Sequence, residues 1–556
     1  MNRAPIDTSA GRPTNAAELT IARQVIRRSG LVDVLAPCID AEVGRPRLLG
    51  LEALLVVFQL NAQHRHHRAH LVEAARILNA LTEEQRAMLS ITSWDPDETY
   101  DRVERLFVKL CQVLDSGDAG IDASDFANEL ARAAIPRDLL TSRSVAVDGT
   151  DVETWGALRG ASFTVELDGE AADTQLVDGQ SAPPPVKTKV KPAKVFSIGP
   201  DGRKRYTADP DARAGHRSAT GNRNAGPYVG YELHLAIQTR DVRWTNHIDK
   251  TTLGPEVPGV ITTCNLVPAG SHRGDAIVEG LIASKKAVCD INDVIWDPGY
   301  SLCQPGTTSY PLTEAGIEQT LELVTHQRGI RPFAGEALLL DGQLYSPFLP
   351  LELRDLASPP RFATGAYRRA YEEKFNRRAR WRLVRHSAPD AEGVTRWRCP
   401  FCAGLLRSRR FPRTMWRSRQ APMVEMPEGV TQCCSGILSA PPAELPITQK
   451  IPFGTTAWRI SMYRRQVVES ANSALKGAFA DLSRGFFRVF GQTKLSVLLG
   501  FTLAAYNLDR VRSFRAKKAE EEAKPLRRAK RRQGTWGDLI SREGDPVPPS
   551  ATSPPD

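Results

Sequence analysis

The hydrophobic period of this 556-residue chain changes twice, and those changes limit the folds open to it. Through the first 140 residues, apolar positions recur at helical spacing. Leu19, Ile21, Ala22, Val25 and Ile26 form one stripe over Glu18–Leu35, and Leu51–Leu60, Leu71–Leu81 and Tyr100–Leu114 follow the same rule. Asp95-Pro96-Asp97 marks a turn, with Asp97 or Thr99 expected to cap the last of these helices. At residue 143 the pattern becomes strand-like. Ser144–Val147 ends at Asp148-Gly149-Thr150 and reads as a strand carrying a carboxylate at its C-terminal end. Tyr228–Gln238 alternates, with Tyr231, Leu233, Leu235 and Ile237 on one face and Glu232, His234 and Ala236 on the other. A helix is expected over Asp275–Lys286, then a strand Asp293–Trp296 ending at Asp297-Pro298-Gly299-Tyr300, then a strand at Thr320–Thr325. Helical spacing returns at Tyr463, through Val467, Val468, Ala471, Ala474, Leu475 and Ala478, and an apolar helix covers Leu495–Leu508.

The expected division is therefore a helical N-terminal domain over 1–140 that suits DNA binding or a plain accessory role, an α/β domain in two parts (141–330 and 456–515), an insertion over 331–455, and a disordered tail over 516–556. Hydrophobic residues make up 41% and charged residues 25%, which excludes wholesale disorder and a small disulfide scaffold. The longest apolar stretches, Leu54–Phe58 and Val497–Tyr506, fall far short of the roughly 20 residues of a membrane helix. No apolar run follows a basic start near Met1, so the expected place is the cytoplasm. The formal charge is only +10, but the excess is concentrated in 176–227, 367–419 and 510–532, and clustered cations favour an anionic partner.

The insertion has its own signals. Leu338–Tyr345 reads as a hairpin turning at Asp341-Gly342, and Tyr367–Arg385 as a basic helix. In that helix and in Arg407–Arg419, arginines interleave with Tyr367, Tyr371, Phe375, Trp381, Phe411 and Trp416. That mixture suits phosphate contact with base stacking, or equally a solvated helix whose aromatics pack inward. Cys399, Cys402, Cys433 and Cys434 offer two close pairs of thiols. A Cys-x-x-Cys knuckle brings two thiolates to one tetrahedral Zn²⁺ at about 2.3 Å, and a second pair closes the site. Adjacent cysteines point apart, so His386 is an alternative fourth ligand, and reduced metal-free thiols are the other reading. The remaining cysteines, 38, 111, 264, 289 and 303, read as packing residues.

Three acids have the placement for phosphoryl transfer. Asp148 and Asp297 each follow a strand, while Glu469 shares a helix face with Arg465, four residues before it, and Lys476, seven after. Cutting a nucleic acid backbone with two divalent metals about 4 Å apart needs carboxylates held together, and Mg²⁺ prefers such hard oxygens. Arg465 and Lys476 would then meet phosphates that the acids alone repel. Taken singly, each acid also reads as a turn or surface residue, because Asp-Gly and Asp-Pro are common turn pairs. His234 reads as a hydrogen-bonded or solvated structural residue rather than a catalytic one. His64, His66, His67 and His70 read as a basic helix end, with His66 and His70 one turn apart but no carboxylate or cysteine beside them.

The segments Val147-Asp148-Gly149-Thr150 and Trp296-Asp297-Pro298-Gly299-Tyr300, with the spacing Arg465, Glu469, Lys476, resemble the signature of bacterial insertion-sequence DDE transposases. Asp209–Arg213 through Gly230–Ala236, and Asn265–Asp275, are similar too, so the resemblance covers about 141–330 and 456–510. It departs from the family pattern at Met462, where a tyrosine is expected and Tyr463 comes one place later, and at Pro298. The resemblance implies an α/β fold with a ribonuclease H-like mixed sheet and flanking helices. It implies Asp148, Asp297 and Glu469 as the metal-binding triad of two Mg²⁺ or Mn²⁺ ions. By the same analogy the substrate is double-stranded DNA, both transposon ends and target. The ends are hydrolysed, and the freed 3′-hydroxyl attacks the target, in a synaptic complex built on a homodimer in the bacterial nucleoid. In the family, insertions between the second aspartate and the glutamate contact or shape the DNA end. Two alternatives stay open: a transposase-derived, zinc-containing DNA-binding protein no longer catalytic, and a ribonuclease H-like nuclease that cuts without strand transfer.

Overall fold

The computed structural model describes residues 8, 11–40, 47–91, 93–157, 197–217, 225–243, 251–271, 273–287, 290–331, 333, 337–356, 364–411, 420–434, 437–441, 449 and 451–523. Contacts divide the chain into a unit ending at Val511 and one starting at Arg512. The basic runs at 412–419 and 527–532, and most of the 176–227 loop, lie outside the described residues.

The helical spacing of the N-terminal region becomes seven helices: α1 (Ala16–Ser29), α2 (Leu31–Ile39), α3 (Leu51–Ala62), α4 (Leu71–Ala80), α5 (Glu83–Met88), α6 (Thr99–Ser116) and α7 (Ala123–Ala133). The stripe expected over Glu18–Leu35 is broken at Gly30, whose φ of 68° ends α1, while Asn15 and Glu18 close a capping box at its start. Neither Asp97 nor Thr99 caps α6. The Asp97 N–H is taken by Asp95, and the Thr99 hydroxyl donates to Asn79 and the Asp95 carbonyl. The histidines span the connection from the end of α3 to the start of α4, with His70 the N-cap of α4. His66 has φ 57° in the connection between α3 and α4, and buried His67 and His70 bond to Thr502 and to the Gly485 carbonyl. Burial holds His67 near 4, so it stays neutral at ordinary pH and works as a packed hydrogen-bonding ring.

Six strands make the central sheet: β1 (Ser144–Glu153), β2 (Arg213–Arg217), β3 (Gly226–Thr239), β4 (Ile261–Pro268), β5 (Asp293–Trp296) and β6 (Glu318–Leu321). The order is β6-β5-β1-β3, with β2 and β4 sharing the far edge of β3. β5 and β6 run parallel to β1, whereas β3 is antiparallel to β1, β2 and β4. Between and after the strands come α8 (Arg273–Ala287), α9 (Pro298–Ser301), α10 (Ser309–Glu314), α11 (Gly365–Ala379), α12 (Thr456–Tyr463), α13 (Gln466–Ser473) and α14 (Gln492–Ala523). The last runs past the expected end at Leu508 and makes 516–523 helical where disorder is expected, since its Lys, Glu, Arg and Ala residues favour helix.

The alternation in β3 sorts the two faces as expected. Tyr231, Leu233, Leu235 and Ile237 join the core that also holds α1, α3, α6, α7, α13 and the apolar half of α14, so the N-terminal helices and the sheet share one continuous interior. Ala236, with Val145 and Val147, faces the second core, made by Ile277, Leu281, Trp296 and Tyr300. Each fully buried Leu or Ile in these cores contributes roughly 1.5–3 kcal/mol. No helix among the described residues is long and apolar enough to cross a membrane.

The insertion has separate cores. Leu338–Leu340 and Gln343–Tyr345 form the expected hairpin, with Asp341 and Gly342 at φ 49° and 73°, the left-handed pair a tight hairpin turn demands. The basic helix is shorter than the sequence suggests: α11 stops at Ala379, and Val384–Arg385 pairs with Trp397–Arg398 in a small sheet. Tyr371, Phe375 and Trp381 are buried, so packing explains these aromatics. Arg378, fully buried, donates to Asp341 at 2.7 Å, and its guanidinium lies over Tyr345 and Phe375.

Candidate active site and metal centre

Asp148 is not at the end of its strand, because β1 runs on to Glu153. Gly149–Glu153 is held in the sheet by antiparallel pairing with Gly230–His234. The parallel ladder with β5 does stop there. Its last matched pair is Val147 with Trp296, so Asp148, still within β1, and Asp297, just past the end of β5, come next to each other. Asp297 then caps α9, its Oδ1 accepting the Gly299 N–H at 2.8 Å. Pro298 fits there because the first position of a helix needs no N–H donor. Behind this turn, Tyr300 stacks on Trp296 and its hydroxyl meets His234 Nδ1 at 2.7 Å. His234 is completely buried, so it is a hydrogen-bonded positioning residue and not a solvated one.

Glu469 arrives from the other side. The helix expected from Tyr463 onward is two helices, α12 and α13, separated at Arg464 and Arg465. The break has a cause in the sheet. Arg464, 2% exposed in its side chain, donates to Asp293 at 2.8 Å and to the Arg240 carbonyl at 2.7 Å, which pins the junction against β5. Arg465, its neighbour, faces the acids: its guanidinium is 2.6 Å from Glu469 Oε1 and 3.7 Å from Asp148 Oδ1. Lys476, on a π-turn that continues α13, is 2.5 Å from Asp151.

Arg465, in contact with both Asp148 and Glu469, and the register that sets Asp297 beside Asp148 gather the three acids in one place. The Asp148 carboxyl is pushed up to about 6, chiefly by burial and then by the Asp297 charge, with Glu469 adding to the rise and Arg465 and the Gly149 N–H opposing it. Asn472, which sequence reasoning missed, donates to Asp148 Oδ2 at 3.2 Å. Its own Oδ1 is buried and has no hydrogen-bond partner among the described residues. An i+3 polar residue after Glu469 was the available signal, since that offset returns to the same helix face. A buried acceptor without a donor beside a repelling set of carboxylates fits a hard cation. The three carboxylates are nonetheless not drawn into a closed ligand set. Among the described residues, the group of three or more metal-ligating side chains whose ligand atoms all lie within 4.8 Å is the cysteine one.

That centre contains all four expected thiols and not His386, whose ring meets Arg398 instead. Cys433 Sγ is 3.4 Å from both Cys399 and Cys402, Cys402 is 3.5 Å from Cys434, and the adjacent pair is 3.8 Å apart. Four sulfurs around Zn²⁺ at 2.3 Å stand about 3.8 Å from one another, so the spacing fits a tetrahedral ion. The Cys402 N–H points at Cys399 Sγ, the turn expected of a Cys-x-x-Cys knuckle. The four thiols thus form a cluster able to hold a metal such as zinc. No protein-family model, curated protein or solved structure matches the chain.

Proposed function

We propose that this chain is a DNA transposase of the DDE type, with a ribonuclease H-like catalytic domain split by a zinc-stabilised insertion. The observation that carries the reading is the register that sends Asp148 and Asp297 out of the parallel ladder together, with Glu469 sharing the Arg465 guanidinium with Asp148. The strand order β4-β3-β1-β5-β6, antiparallel up to β1 and parallel beyond it, supports the ribonuclease H-like part.

Bound to these acids, two Mg²⁺ or Mn²⁺ ions would activate the attacking hydroxyl and stabilise the leaving oxygen. Asp148, Asp297 and Glu469 would hold them, with the Asn472 carbonyl oxygen as a further neutral donor. Until they do, Arg465 neutralises Asp148 and Glu469; once the acids are occupied, its guanidinium is placed to meet a phosphate. His234 and Tyr300 keep α9, and so Asp297, in position. Double-stranded DNA is the substrate in this reading, and bringing two ends together calls for a dimer.

A second reading, a zinc-containing DNA-binding protein without cleavage, draws on the same Arg465, which already satisfies two of the acids as a structural cation would. Strand cleavage separates the two. DNA carrying the sequences that flank the coding region, incubated with Mg²⁺ and the full chain, is expected to be cut to 3′-hydroxyl ends. Asp148→Asn, Asp297→Asn and Glu469→Gln should each lower the rate by a factor on the order of 10³. Activity that survives all three changes removes the triad assignment. Binding without metal-dependent cutting favours the second reading, and cutting without junctions to target DNA favours a nuclease.

A further inference from the structure

Beyond the acids, α13 and the loop after it run alongside β1 and its extension. Asn472 meets Asp148, Lys476 meets Asp151, and Arg484 donates to the Gly156 carbonyl at 3.2 Å. This track ends at Trp155, which is 45% exposed although tryptophan is costly to leave in water. Phe490 stacks against it with centroids 5.9 Å apart and planes at 30°, and the Arg488 guanidinium lies 5.9 Å above the ring. Gly485, at φ +92°, lets the loop pass close by, its hydrogen standing where a Cβ would lie 3.7 Å from Trp155 Cδ1. The surroundings are cationic. The acids of this stretch, Asp151 and Glu153, are matched by Lys476 and Arg217, while Arg484 and Arg488 are exposed and pair with no carboxylate among the described residues.

We propose that Trp155, Phe490, Arg484 and Arg488 form a stacking platform for an unpaired stretch of the DNA strand that leaves the acid centre. An aromatic face held rigid by a second ring, with guanidinium groups beside it, is what sequence-tolerant binding of single-stranded nucleic acid uses. Seven residues separate Asp148 from Trp155, so at about 3.3 Å per residue the platform stands roughly 20 Å from the reacting phosphate. It would therefore engage bases several nucleotides away, not the one being cut. The inference rests on the transposase reading in taking DNA as the partner and the acids as the cutting centre.

The test is fluorescence anisotropy of a labelled thymidine 20-mer and of a duplex of equal length, with full chain and EDTA-free buffer lacking divalent metal, so that cutting plays no part. Trp155→Ala should weaken single-strand binding roughly tenfold and Arg488→Glu at least as much, while Trp155→Phe stays within about threefold of wild type and duplex binding changes little. Trp155→Ala binding the single strand as wild type does would overturn the platform and leave the transposase reading standing. Equal loss on both DNAs would also overturn it. If wild type binds neither DNA, both readings fall. Since Trp155 is partly exposed, the Phe variant also controls for folding.

Discussion

At the cysteine centre four sulfurs crowd within 4.8 Å of one another, while at the carboxylate centre three acids share the space with an arginine and do not close into a ligand set. The difference is one of charge at neutral pH. The hydrogen bond to Cys433 and then burial push Cys399 up, and burial pushes Cys402 up to about 12, so these two groups are neutral and can touch before any ion binds. Asp148, Asp297 and Glu469 repel one another, and the fold answers with a cation of its own at Arg465. Neutral thiols can thus gather before an ion arrives, whereas clustered carboxylates call for a compensating cation.

Stripping metal from the cysteine centre gives the largest effect expected of this contrast. With structural zinc contributing on the order of 10 kcal/mol, Cys433→Ser should abolish the bound zinc and open the insertion. Metal analysis would fall from one zinc per chain to none, and hydrogen exchange would rise across Leu338–Ala440 and not in the central sheet. Exchange unchanged in the insertion would mean that its apolar cores suffice without the ion.

The two adjacent arginines sharpen the comparison at smaller scale. Arg464→Ala removes a buried guanidinium that spans Asp293 and the Arg240 carbonyl, leaving part-buried Asp293 with Ser144 as its remaining donor, and should cost about 3 kcal/mol of unfolding free energy in a denaturant titration. Arg465→Ala, removing a cation from the rim of repelling acids, should cost less than about 1 kcal/mol. Equal costs would show Arg465 to be a structural clamp.

Smaller again is the pH effect at Asp148. Its carboxyl is raised in the folded chain, so the unfolded chain gives up its proton first and folding is penalised as pH rises from about 4 to about 6. Asp148→Asn should therefore stabilise the chain by about 2–3 kcal/mol at pH 7.5, with the gain shrinking below pH 6 and gone below pH 4. A destabilised variant at pH 7.5 would mean that the ionised carboxylate is satisfied in the metal-free fold.

How much of this was legible in the sequence follows the range of the interactions. Asp293–Trp296 and the Asp341-Gly342 hairpin were readable because the run and its turn residues are local. The second half of β1 was not, since Gly149 and Asp151 disfavour strands and are held only by partners some 80 residues away. The break between α12 and α13 was hidden for the same reason: its cause is Asp293, far off in sequence. The acids could be picked out by position, but the arginine between two of them and the Asn472 amide became visible only once β1 and α13 were side by side. The thiols were legible as a set, while the choice of Cys434 over His386 depended on how the chain between 402 and 433 folds back.

In the proposed reading the carboxylates form a hard-cation site distinct from the sulfur one. Mn²⁺ titration of the zinc-loaded full chain, followed by electron paramagnetic resonance, reads that directly. Wild type should take up Mn²⁺, and Asp148→Asn, Asp297→Asn and Glu469→Gln should each weaken the uptake at least tenfold with the zinc content unchanged. Uptake by all three variants equal to wild type would contradict it.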